Sequence, residues 1–67
     1  MIITLNGKPN DQFDDELTVT GLLDKLGLAG QPVLVELDQI ALHPREFDSA
    51  IVRDQAQLEI IRVAAGG

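Results

Sequence analysis

With 67 residues the chain has room for one domain, near the size at which a single small core barely offsets chain entropy. It has no Cys, which excludes disulfides and thiolate metal sites as supports, and its opening apolar stretch is too short and too weakly basic for a signal segment, as every other run is for a membrane span. A net charge of −6, with two Phe and neither Tyr nor Trp, lacks the basic footprint and stacking rings of nucleic-acid binding, so we expect a cytoplasmic protein with no nucleic-acid and no membrane partner.

Met1 to Leu5 is apolar except for Thr4 and reads as a strand. Asn6-Gly7 is the preferred pair for a two-residue hairpin turn, so a returning strand is expected over Lys8 to Phe13. Pro9 has no amide hydrogen for a ladder, which places that strand at a sheet edge. Asp11, Asp14, Asp15 and Glu16 lack the alternating spacing of a calcium loop and read as a solvated edge.

Thr18 is a helix cap, and Val19, Leu22, Leu23 and Leu26 draw one apolar stripe behind it until Gly27 ends the helix. Gly21 stands where a capping box would put Glu or Gln. The G-x-x-G of Gly27 to Gly30 has neither the basic residues of a nucleic-acid clamp nor the Lys of a phosphate loop, and reads as a connection. Val33 to Leu37 is the next strand, and Asp38-Gln39 turns it into a short one over Ile40 to Leu42. His43-Pro44-Arg45 then stops the pairing. His43 is the single histidine, so a histidine-based catalytic or zinc site would lack the usual companions. Glu46 to Ala56 reads as irregular, with Phe47 and Ile51 or Val52 tucked beneath it.

Leu58 to Val63 is a closing strand of branched apolar residues that runs directly into Ala64-Ala65-Gly66-Gly67. Beyond Val63 the side chains shrink to methyls and then hydrogen, so nothing there packs into a core. The expected organisation is one domain over 1–67 with a flexible tail at 64–67. Fully extended, the tail reaches about 13 Å, at roughly 3.3–3.6 Å per residue, enough to enter another protein's cleft. Strands and one helix in this order suit an α+β layer, a mixed five-stranded sheet with the main helix packed on one face. Three of the strands carry apolar residues toward both faces, so the face away from the helix is a candidate docking surface. We assign docking to Leu58, Ile60, Ile61 and Arg62, beside the tail, and the acidic surface favours a partner whose docking face is basic.

Ile3-x-Leu5-Asn6-Gly7, Thr18-Val19-x-x-Leu22-Leu23, Pro44-Arg45 and Val63-x-x-Gly66-Gly67, in this order and at this length, resemble the ubiquitin-like β-grasp fold and, more narrowly, the ThiS sulfur carrier proteins of thiamine biosynthesis. The family usually has Asn where this chain has Asp38, and Gly-Asp where it has Gln55-Ala56, which puts the geometry of the second turn in question. The small subunits of molybdopterin synthase share the fold and tail but tend to be longer, with prolines before the end.

The resemblance implies that the chain is a protein cosubstrate and not an enzyme. An activating, ThiF-like partner adenylates the Gly67 carboxylate with ATP and magnesium, neither bound by this chain. Sulfur from a persulfide donor displaces AMP, and the thiocarboxylate goes to a ThiG-like thiazole synthase. Gly66, Ala65 and Ala64 would thread the partner's channel. A molybdopterin-type carrier, a modifier joined to lysines and a binding module with an inert tail are the alternatives.

Overall fold

The computed structural model of the protein describes residues 1–64. In chain order its elements are β1 (Ile3–Leu5), β2 (Lys8–Asn10), β3 (Leu17–Thr18), α1 (Val19–Lys25), β4 (Val33–Leu37), β5 (Ile40–Leu42), a single 3-10 turn (Pro44–Glu46), β6 (Ile51–Val52) and β7 (Gln57–Arg62). The main sheet has five strands in the order β2-β1-β7-β4-β5. β1 and β7 run parallel at its centre and the remaining pairs are antiparallel, so the sheet is mixed, as the β-grasp resemblance implies.

Both hairpins close as their sequences dictate. Asn6 and Gly7 take φ of 50° and 80°, and Leu5 then faces Lys8. Asp38 and Gln39 take 50° and 71°, and Leu37 faces Ile40. This doubly left-handed turn has a backbone twist that matches that of the flanking strands. Pro9 lies in the edge strand, where its missing donor costs no ladder bond. β2 stops at Asn10, so the expected extension to Phe13 is not made, and Phe13 turns into the core instead.

α1 presents Val19, Leu22 and Leu23 to the sheet, where they meet Ile3, Val33, Val35, Leu58 and Ile60. Burying each such side chain contributes about 1.5–3 kcal/mol. Thr18 Oγ1 accepts the Gly21 N–H at 3.0 Å, which is the expected cap. At the other end Gly27, at φ 76°, donates to the Asp24 carbonyl at 3.0 Å while Leu28 donates to Leu23 at 2.8 Å, the paired bonds of a Schellman stop.

The segment 46–56, expected to be irregular, has a structural task. β6 pairs with β3 in a second, two-stranded sheet, Leu17 opposite Val52 and Thr18 opposite Ile51. The Ala50 and Phe47 carbonyls accept the Val19 and Thr20 N–H groups at 2.9 and 3.0 Å, so this loop satisfies donors that a helix start leaves orphaned. Gln55 holds the left-handed conformation, φ 71°, that a glycine would take at no steric cost, and donates its N–H to the Ile2 carbonyl at 2.7 Å. The turn is therefore closed here without glycine, at a local strain of about 1 kcal/mol.

Candidate functional site

β7 carries the chain to its C-terminal tail, and its alternation decides which side chains a partner can reach. Leu58 and Ile60 point toward α1 and are only 1% and 8% exposed. The assignment of these two to docking is therefore corrected: they are core residues, because period-two alternation puts them on the helix-covered face. Ile61 points the other way, 58% exposed, directly opposite Leu34 at 61%. Behind this apolar pair, Glu36 and Glu59 face each other across the same two strands, both exposed. Arg62 is exposed, and its guanidinium donates to Gln31 Oε1 at 2.8 Å.

The root of the tail is held on both flanks. On the β4 side the Val63 N–H donates to the Pro32 carbonyl at 3.0 Å. On the β1 side the Asn6 carboxamide brackets the main chain of Ile60: Oδ1 accepts the Ile60 N–H at 2.7 Å and Nδ2 donates to the Ile60 carbonyl at 3.2 Å. Asn6 thus serves the turn with its backbone and extends the β1–β7 ladder by one step with its side chain. A shallow concavity lined by Gln31, Pro32, Arg62, Val63 and Ala64 marks the point of exit. An adjoining recess shares Gln31, Pro32 and Val63 and adds Gly30, Val33, Pro44 and Phe47. Ala64 is exposed there, while Ala65, Gly66 and Gly67, assigned to threading and to carrying sulfur, lie outside the described residues.

The sequence marks Asn6 as a turn residue alone and gives Gln31 and Pro32 no role. Their contacts span 54 and 31 positions, and local spacing carries no signal for them. The main chain of His43 closes the 3-10 turn: its N–H donates to Glu46 Oε1 at 2.9 Å and its carbonyl accepts the Glu46 N–H at 2.8 Å. Among the described residues no three of His, Cys, Asp and Glu converge as metal ligands, and no helix is long and apolar enough to cross a membrane. Just ahead of β7, Asp54 accepts the Ile2 N–H at 2.8 Å; that bond, with a second from Gln55, holds its carboxyl below the ordinary carboxylate value.

A model of the ThiS family matches residues 3–67. The chain is 31% identical over 65 residues to an uncharacterised protein, ycf40, of Porphyra purpurea, covering 97% of this chain and 90% of that one. The crystal structure of a thiamine biosynthesis protein (ThiS) from Geobacter metallireducens is similar over the full length of both chains, with 36% identity and a TM-score of 0.84. The solution structure of a thiamine biosynthesis protein from the same organism gives 36% identity and 0.83, covering all of this chain and 88% of that one.

Proposed function

Because the chain belongs to the ThiS family, we propose that it is a sulfur carrier of thiamine biosynthesis, a protein cosubstrate whose reacting group is the Gly67 carboxylate. A carboxylate is a poor electrophile until one of its oxygens becomes a leaving group. An activating enzyme of ThiF type supplies that group: a carboxylate oxygen attacks the α-phosphorus of ATP, pyrophosphate leaves, and the carbonyl is held as an acyl adenylate. A persulfide sulfur then attacks the carbonyl and expels AMP. A thiol then attacks the donor's sulfur in the resulting acyl disulfide, forming a disulfide with the donor, losing its proton and releasing the thiocarboxylate for a thiazole synthase of ThiG type. ATP and magnesium are reagents of the enzyme.

One observation supports this reading above the others. The strand is fixed by Asn6 on one flank and by Pro32 on the other, up to Val63, and only side-chain-poor residues follow it. A rigid root with a slender end suits delivery of one atom into a partner's catalytic centre, where an error of about 1 Å can cost on the order of 100-fold in rate. Leu34 and Ile61, with Arg62 at the rim, supply the exposed face on which the enzyme docks.

The test is intact mass after incubation with the activating enzyme, ATP and a persulfide donor. The expected product is heavier by the exchange of one oxygen for sulfur at the C-terminus. Gly66→Val, whose β-branch restricts the penultimate backbone and widens the tail, should leave thermal unfolding unchanged and abolish the exchange. Conjugates to lysine side chains would mark a modifier instead, and an unchanged mass with an active enzyme would refute the carrier reading.

A further inference from the structure

The ladder on β7 ends unevenly on its two sides. Against β4, hydrogen-bonded positions alternate. Asp38 donates to Gln57 at 2.8 Å and Val63 donates to Pro32 at 3.0 Å, so the odd-numbered residues of β7 direct their main-chain groups toward β4. The even-numbered residues direct theirs toward β1. Leu58 is satisfied there by the Asn6 N–H at 2.8 Å, and Ile60 by the Asn6 carboxamide. At Asn6 the chain turns back into β2, and β1 offers nothing further. The N–H and C=O of Arg62, the last residue of β7, therefore face a side on which no strand lies among the described residues, beside exposed Asn6 and Gly7, and a chain that continues extended carries the same alternation to Ala64.

We infer that this open edge, Arg62 to Ala64, is a strand-addition site, and that its occupant is an extended segment of the activating enzyme. The inference rests on the carrier reading and specifies how the tail is gripped. From Ala64 onward the side chains offer only methyls and hydrogens, so a partner has almost nothing but the backbone to recognise. Main-chain pairing supplies affinity without side-chain handles and fixes direction and register as well. The edge begins one step beyond the Asn6 clamp, so an added segment pairs with Arg62 and Ala64 and stops against the Asn6-Gly7 turn. That stop sets how far along the tail the enzyme can slide.

The test uses the full 67-residue chain made by chemical synthesis with the Ala64 N–H replaced by an ester oxygen. Among the described residues that N–H has no hydrogen-bond partner, so the melting temperature of the free carrier should not move. Affinity for the activating enzyme should fall about 2- to 10-fold, the loss of one main-chain hydrogen bond. Amide exchange gives a second readout. In the free carrier the Val63 amide, bonded to the Pro32 carbonyl, should be protected and those of Arg62 and Ala64 should not; in the complex both of the latter should slow. An ester variant that binds like the unmodified chain, or Arg62 and Ala64 amides that exchange equally fast in the complex, would overturn strand addition while leaving the carrier reading intact. Absence of ATP–pyrophosphate exchange with the unmodified chain would refute the carrier reading and this inference with it.

Discussion

Replacing Asn6 by Gly separates its two roles, because glycine takes the left-handed φ of 50° at no steric cost but has no carboxamide for Ile60. Each of the two hydrogen bonds contributes about 0.5–1.5 kcal/mol net, and the extra backbone freedom of glycine in the unfolded chain adds about 0.5–1 kcal/mol. The expected loss is about 1.5–4 kcal/mol, which in a domain of this size lowers the melting temperature by about 6–30 °C. Asn6→Asp keeps the acceptor for the Ile60 N–H but sets an oxygen against the Ile60 carbonyl, so it should not restore the stability of the native chain. Urea unfolding followed by circular dichroism measures the loss, and amide exchange at Ile60 localises it. If Asn6→Gly unfolds within about 0.5 kcal/mol of the native chain, the carboxamide bridge does not hold β7, and the turn alone accounts for Asn6.

Gly21→Ala should stabilise the fold by about 0.5–1 kcal/mol, since an added Cβ meets nothing nearer than Thr18 Oγ1 at 3.4 Å; scanning calorimetry would show the rise. Ile61→Asp and Leu34→Asp should weaken docking to the activating enzyme while costing about 1 kcal/mol or less in stability, whereas Leu58→Ala should cost about 2–5 kcal/mol; titration and melting of the same samples separate the two classes. Asp54 titrates below its ordinary value because it accepts the Ile2 N–H first and a Gln55 side-chain bond second. Its contribution is therefore complete above the unfolded carboxylate range and is lost as pH falls through the lowered folded value, so Asp54→Asn should flatten the acid limb of melting temperature against pH below about pH 4.

Both turns, the cap and stop of α1, and the edge placement of Pro9 were legible in the sequence because each rests on residues within a few positions of one another. The two-residue strands β3 and β6 were not, since so short a pair has no period to detect and exists only where the chain brings Leu17 against Val52. The closing run was legible as a strand but not as two faces. In Leu58-Glu59-Ile60-Ile61-Arg62 the apolar residues do not alternate cleanly, and it took the helix above the sheet to show that Leu58 and Ile60 lie inside and Ile61 outside.

The turn residues share a logic that local reading misses. Asn6 reaches Ile60 from the first turn, and Asp38 reaches the other end of the same strand, its Oδ1 accepting the Gln57 N–H at 2.9 Å. Each uses a side-chain oxygen on the first residue of a left-handed turn to bond the main chain of β7, a bond that requires only an acceptor, which Asp and Asn both carry. A one-residue slip of β7 would break both contacts and turn its buried set outward, so the two turns fix the register of the strand that bears the tail. A tail whose side chains are only methyls and hydrogens is positioned by the strand it leaves, and the register of that strand is set by Asn6 and Asp38, which lie outside it.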